Sequence, residues 1–234
     1  MVEIQNVSLS FGQKKILENI NFQCLQGELV CILGRNGTGK SSLLQCISGF
    51  LKFEGTIKIF QKNIQELSAK EISRTISIVL PNTPVSAYAL NVYETILLGR
   101  TPHLNWLAQM QEKDTQAIQE AIQKTEVQAL LNKNLQNLSD GERQRVMIAR
   151  AIAQDTPVVV ADEPTAFLDV YFRKQILQLF QRIAQEERKC VLLSTHEIDL
   201  ALEYADKLLL LNNEKKYLFL SYWQAEQVWE FLER

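Results

Sequence analysis

Short strand-like runs recur along the chain: VEIQNVSLS, ELVCILG, GTIKIF, TISIVL, PVVVADE, KCVLLST and DKLLLLN. Several are continuously apolar, the pattern of strands covered on both faces of a largely parallel sheet. Segments of helical spacing lie between them: the stretch after Lys40, GERQRVMIARAIAQ, VYFRKQILQLFQRIAQEER and HEIDLALEYA. Alternation of the two predicts an α/β core.

One region departs from that rhythm. From about Asn91 to Asp155 there is no strand pattern, and NVYETILLG, EKDTQAIQEAIQKTEV and the segment from Gly141 onward read as helices. The expectation is a helical lobe inserted between two core strands. The first strands, up to Gly27, are expected to form a separate antiparallel layer. The end of the chain, SYWQAEQVWEFLER, reads as an amphipathic helix with Ser221 as its N-cap. There is no internal repeat and no low-complexity segment.

Composition narrows the class. The 234 residues carry 25 basic and 27 acidic side chains, a formal charge of −2. That suits one large domain or two small lobes. It gives no electrostatic footprint for nucleic acid, which is therefore not an expected partner. Cys24, Cys31, Cys46 and Cys190 are not at metal-ligand spacing and read as small buried hydrophobes in a reducing compartment. The opening MVEIQNVSLSF has neither a basic region nor a long apolar stretch, and no apolar run approaches the roughly 20 residues of a bilayer span. The expected location is cytoplasmic, with any membrane contact made through a partner.

The chemistry starts at ILGRNGTGKSSLL. Gly34-Arg35-Asn36-Gly37-Thr38-Gly39-Lys40-Ser41 fits G-x-x-x-x-G-K-[ST], between an apolar strand and a helix. Glycines let backbone N–H groups curl around phosphate oxygens where a Cβ would collide, and the following helix points its positive end at the same anion. Lys40 is placed to reach the β- and γ-phosphates, and Ser41 to ligate Mg²⁺. The bland alternative is a tight strand-helix turn.

Two further strands end in polar residues. VVVADEP closes on Asp162 and Glu163. Asp162 is placed to hold Mg²⁺, usually through water, and Glu163 to orient or deprotonate an attacking water. VLLSTHE closes on Ser194, Thr195 and His196. Neighbouring parallel strands converge on the ligand crevice, so His196 is expected near the γ-phosphate and the water at Glu163. A structural histidine is the competing reading.

LSDGERQRV, Leu138 to Val146, resembles the LSGGQ-type signature of ATP-binding cassette (ABC) proteins, with Asp140 and Glu142 as substitutions. The motif order also resembles that family across essentially the whole chain: glycine loop, helical lobe, signature, acid-ended strand, histidine. The resemblance implies a P-loop NTPase (RecA-like) parallel-sheet core with an antiparallel β layer and an inserted helical subdomain. Residues 1–84 and 157–234 would form the catalytic core and 85–156 the helical subdomain.

It further implies an ATPase with ATP and Mg²⁺ as cofactors, working as a head-to-tail homodimer. ATP would be held by Gly34, Arg35, Asn36, Gly37, Thr38, Gly39, Lys40, Ser41 and Ser42, and by Ser139, Asp140, Gly141 and Glu142 across the interface. Ser139 and Gly141 open a helix, which makes a second anion site on the helical lobe, and two opposed chains can bring it to one phosphate. Phe167-Leu168-Asp169 matches the family's D-loop, which crosses the interface. Glu163 and His196 would be catalytic. Phe11 occupies the position of the aromatic residue that stacks on adenine; a core phenylalanine on the first strand is the other reading. The family's glutamine after TISIVL is missing, and Asn82 is the nearest match for that Mg²⁺ contact. An amide one methylene shorter puts the link from nucleotide to helical lobe in doubt.

LLGRTPHLNWL, Leu97 to Leu107, resembles the corresponding stretch in ATPases serving iron-siderophore, haem and cobalamin importers. Its bland reading is an exposed helix end with Arg100 and His103 on the surface and Trp106 packed. The implied function is the ATPase of an importer, peripheral to the cell membrane through permease subunits and working indirectly with a substrate-binding protein. An exporter or lipoprotein-release ATPase is the alternative. A coiled-coil insertion of the repair type and a second cassette of the translation type are both missing from the sequence.

Overall fold

The computed structural model describes residues 1–80 and 90–233. Two sheets carry the fold. The antiparallel one has strands β1 (Val2–Phe11), β2 (Lys14–Cys24), β4 (Glu54–Ile59) and β5 (Lys62–Asn63) in the order β2-β1-β4-β5. The other contains β3 (Leu29–Gly34), β6 (Ile76–Val79), β7 (Val158–Asp162), β8 (Cys190–Thr195), β9 (Lys207–Leu211) and β10 (Tyr217–Leu220) in the order β10-β9-β3-β8-β7-β6. Its pairs are parallel except β9–β10, where an antiparallel strand closes the edge.

Every residue of β3, β7 and β8 is buried. The reason is the period-two alternation of side chains, which feeds two separate cores. Cys31, Leu33, Val159, Ala161, Val191 and Leu193 join the cluster under the larger set of helices. Val30, Ile32, Val158, Val160, Cys190 and Leu192 join the one shared with α1 (Lys40–Ile47) and the antiparallel sheet. A strand with an apolar layer on each side has no polar face to show, hence the continuous apolar runs.

α2 (Ala69–Thr75) precedes β6. Between Leu90 and β7 come α3 (Val92–Leu97), a 3₁₀ segment (Leu98–His103), α4 (Glu112–Lys124) and α5 (Asp140–Ala153). Among the described residues of that stretch, the sole β pairing is an isolated bridge between Asn91 and Asn134. α6 (Val170–Glu187), α7 (Ile198–Tyr204) and α8 (Ala225–Glu233) complete the chain. This is the expected P-loop-type parallel core with an antiparallel layer and helices inserted between β6 and β7.

Four expectations need correction. GTIKIF joins the antiparallel layer, not the parallel sheet, so that layer extends past Gly27 to Asn63. Only alternate residues of β4 are buried, as suits a strand with one open face. Ser221 does not cap the final helix, which starts at Ala225. Arg100 is buried rather than exposed: its guanidinium donates to Asp114 Oδ1 at 2.8 Å and to the Ala153 carbonyl at 2.7 Å. Trp106 is 90% exposed rather than packed. The four cysteines are buried and unbridged.

Candidate functional site

The glycine loop leaves β3 at Gly34, where the backbone is already crowded. A Cβ there would lie 2.5 Å from the Leu211 carbonyl oxygen and 2.6 Å from Thr38 Oγ1. The loop closes through the Thr38 hydroxyl, which donates to the Arg35 carbonyl at 2.9 Å. At Gly39 the chain enters α1 with φ +101°, a left-handed conformation that side chains resist. No side chain caps this helix start, so no capping side chain takes up its first-turn N–H groups. Arg35, Asn36 and Gly37 are exposed at the loop's crest, and Ser41 and Ser42 follow in the first turn.

Lys40 is folded into that loop. Its ammonium donates to the carbonyls of Gly34 at 2.8 Å and Arg35 at 3.2 Å and lies 3.8 Å from Glu163. Burial pushes its pKa down, opposed by the nearby Glu163 and Asp162.

The strand order brings the other motifs here. β8 lies between β3 and β7, with Ile32 opposite Ser194 and Asp162 opposite Ser194. The Ser41 hydroxyl donates to Asp162 Oδ1 at 3.0 Å, and the Ser194 hydroxyl donates to the same oxygen at 2.6 Å. Glu163 sits just past the strand end with φ +45°, left-handed for a residue that has a Cβ. Its N–H is fixed by two acceptors, Ser194 Oγ at 2.9 Å and the Ser194 carbonyl at 3.1 Å. His196 Nδ1 is 3.5 Å from Glu163 Oε1 on an exposed ring. Lys40, Ser41, Asp162, Glu163 and His196 are thus brought into one crevice. The sequence marks Ser194 only by its place beside His196 at the end of a strand.

α5 opens differently from α1. Ser139 is its N-cap, and Glu142 completes a capping box: Ser139 N–H donates to Glu142 Oε2 at 2.9 Å and its hydroxyl at 3.1 Å, while Ser139 Oγ accepts from Glu142 N–H at 3.2 Å. The Ser139 backbone and hydroxyl, then Lys133, hold the Glu142 carboxyl below its ordinary range. This capping box takes up the Ser139 and Glu142 N–H groups within the chain itself. Asp140 is exposed and pairs with Arg143 at 3.0 Å. Gly141 lies against the segment before α6, where a Cβ would stand 3.3 Å from the Phe167 carbonyl oxygen. Asp169 caps α6, accepting from Phe172 N–H at 3.0 Å. Arg173 joins this segment to the β8 end, donating to the Leu168 carbonyl at 2.8 Å and pairing with Glu197.

Phe11 is 52% exposed at the end of β1, which removes its reading as a core residue. Asn82 lies outside the described residues. Among the described residues no group of three His, Cys, Asp or Glu side chains gathers to hold a metal, and no helix is long and apolar enough to cross a membrane.

Comparison with known proteins agrees with this architecture. The family model described as ABC transporter matches residues 17–166. An uncharacterized ABC transporter ATP-binding protein of Methanocaldococcus jannaschii is 35% identical over 216 residues, covering 92% of this chain and 74% of that protein. The petrobactin import ATP-binding protein FpuD of Bacillus anthracis is 33% identical over 217 residues, covering 92% and 79%. Among solved structures, the dimeric post-hydrolysis state of the ATP-binding cassette MJ0796 bound to ADP and Pi superposes with a TM-score of 0.77 at 28% identity, covering 90% of this chain and 94% of that one. A glycine loop, an acid-ended strand and a strand-end histidine folded onto one crevice are what such a cassette needs, and the chain belongs to the ABC transporter family as an ATP-binding, ATP-hydrolysing subunit.

Proposed function

We propose that the chain powers a siderophore-type importer, cleaving ATP at the interface of a head-to-tail dimer docked on a separate membrane permease. The observation that carries the catalytic part is the convergence of Lys40, Ser41, Asp162, Glu163 and His196 within hydrogen-bonding or ion-pair reach of one another. The import part is supported by the relative that serves petrobactin import, and the dimer by the dimeric MJ0796 cassette.

The glycine loop from Gly34 to Gly39 wraps the phosphates, Lys40 neutralises the β- and γ-oxygens, and Phe11 stacks on the adenine. Ser41 and Asp162 already share a hydrogen bond at 3.0 Å, and two hard oxygens fit Mg²⁺, which takes few protein ligands and completes its shell with phosphate and water. An Mg²⁺ ion held by Ser41 and Asp162 would supply Lewis-acid stabilisation of the phosphate charge. Glu163 accepts the proton of the attacking water as the bond from the γ-phosphorus to the bridging oxygen breaks and ADP leaves. His196 holds the Glu163 carboxylate and the γ-phosphate in register. Ser139 and Gly141 of the second copy close the cage, which requires the Glu142 carboxylate to yield part of its hold on the α5 start. An apolar groove of about 300 Å³ between Phe50, Ile72, Ile78, Leu80 and Arg150 is suited to a permease helix at the cytoplasmic membrane face.

The test uses the chain reconstituted with its co-purified permease. ATP cleavage should rise with the transported chelate. Glu163→Gln should lower turnover by about a hundredfold or more while keeping ATP bound in a closed dimer. Rapid turnover by Glu163→Gln, or outward rather than inward chelate movement in vesicles, overturns the reading.

A further inference from the structure

Two of the four buried cysteines meet where the sheets join. Cys24 ends β2 in the antiparallel sheet, and Cys190 opens β8 in the parallel one. Backbone bonds clamp the two strand ends together: the Gly27 N–H donates to the Lys189 carbonyl at 3.0 Å, and the Val191 N–H to the Glu28 carbonyl at 3.0 Å. Cys190 Sγ lies 3.6 Å from the Cys24 carbonyl oxygen, and Cys24 Sγ lies 3.8 Å from the Val191 carbonyl oxygen. Each sulfur thus rests against the backbone of the other's strand, a proximity that lets a disulfide form with little backbone movement.

Each of the two thiols is the strongest influence on the other's proton. The Cys24 thiol holds the Cys190 pKa below the usual thiol value against the effect of burial, and Cys24 itself is pushed well up. Cys190 is therefore the sulfur that gives up its proton more readily, and Cys24 the one that keeps it. Burial instead pushes up the thiols of Cys31 and Cys46. The pair lies one turn beneath the surface. Cys24 Sγ is 3.7 Å from the Leu25 carbonyl oxygen and 3.5 Å from that of Glu28, and Leu25 and Gln26 between them are exposed. A local opening of that single turn admits a small oxidant.

We propose that Cys24 and Cys190 are a redox modification site, forming a reversible disulfide between the two sheets when hydrogen peroxide reaches them. The Cys190 thiolate attacks one peroxide oxygen and the O–O bond breaks. A Cys190 sulfenic acid forms, and the hydroxide released takes up the proton that Cys190 gave up, leaving as water. The Cys24 sulfur then attacks the Cys190 sulfur. The S–S bond forms, the S–O bond breaks, and the Cys24 proton leaves with that oxygen as a second water. Two thiols are oxidised and one peroxide is reduced. The cross-link spans a sequence separation of 166 and ties the sheet that carries Phe11 to the sheet that carries the glycine loop.

The experiment treats the full, reduced chain with hydrogen peroxide, blocks the remaining thiols under denaturing conditions and maps the digest by mass spectrometry. A peptide pair linked through Cys24 and Cys190 should appear, two of the four thiols should be lost, and dithiothreitol should restore them. The oxidised chain should melt about 5–10 °C above the reduced one. Cys24→Ser should abolish that shift and leave a Cys190 sulfenic acid that dimedone traps. The mapping needs no substitution, so a variant that fails to fold does not decide the outcome. A folded, peroxide-treated chain in which Cys24 and Cys190 stay reduced, or are oxidised singly without a link, overturns the inference. A link that forms only after unfolding in urea overturns it as well.

Discussion

The Ser194 hydroxyl donates to Asp162 Oδ1 at 2.6 Å, and Ser194 Oγ in turn accepts from Glu163 N–H at 2.9 Å. One fully buried hydroxyl therefore aims the carboxylate of one acid and pins the left-handed backbone of the next. Ser194→Ala removes a charge-assisted hydrogen bond, about 2 kcal/mol. At this chain length that corresponds to a melting temperature lower by roughly 4–8 °C. ATP turnover should fall by about tenfold, and Ser194→Thr should recover most of both. Calorimetry and phosphate release check the two effects separately.

Gly37 and Gly39 offer a controlled pair. Both have positive φ, but a Cβ at Gly37 meets nothing within 4 Å, whereas one at Gly39 lies 2.9 Å from Leu17 Cδ2 and 3.1 Å from Ile16 Cγ2. Gly37→Ala should cost about 1 kcal/mol, the backbone term alone. Gly39→Ala adds overpacking and should cost about 2–4 kcal/mol. Urea unfolding of the two variants measures the difference.

Phe11 should act on the nucleotide and not on the fold. With half its surface exposed, Phe11→Ala should leave stability within about 0.5 kcal/mol. It should weaken ATP and ADP alike by about fivefold to tenfold, the worth of an aromatic stack. Titration calorimetry with both nucleotides distinguishes this from a phosphate effect, which would fall on ATP more heavily.

The buried pair of Arg100 and Asp114 predicts an acid-sensitive stability. Burial raises the Asp114 pKa, but the Gln111 N–H at 2.9 Å and the Arg100 guanidinium outweigh it and hold the carboxyl below its usual value. A depressed carboxyl pKa contributes stability that is complete above about pH 4 and is lost as pH falls through the lower folded-state value. Asp114→Asn leaves Arg100 buried without its counter-charge and should cost about 3–5 kcal/mol. The slope of unfolding free energy below about pH 4 should also flatten in that variant.

How far the sequence was legible follows from what each signal depends on. The glycine loop and the acid-ended strand were legible because their chemistry sits in consecutive residues. The continuous apolar runs of β3, β7 and β8 announced two-sided burial, which the two cores supply. GTIKIF reads as a strand of the parallel sheet because its true partner is β1, about fifty residues earlier, and its apolar pattern does not record that pairing. Gly55 carries a trace of it: with φ +98°, a Cβ there would lie 2.3 Å from the Asn6 carbonyl oxygen. Arg100 looked like a surface cation because its counter-ion comes from the next helix. Ser194 reads as a mere strand end because its partners, Asp162 at the end of β7 and Glu163 just past it, meet it only through strand order.

Gly141 has a mechanical consequence. A Cβ there would stand 3.3 Å from the Phe167 carbonyl oxygen and 3.4 Å from Leu168 Cδ2, tighter than ordinary contact. Any side chain at Gly141 would therefore have to push the start of α5 and the chain that follows β7 apart by a few tenths of an ångström.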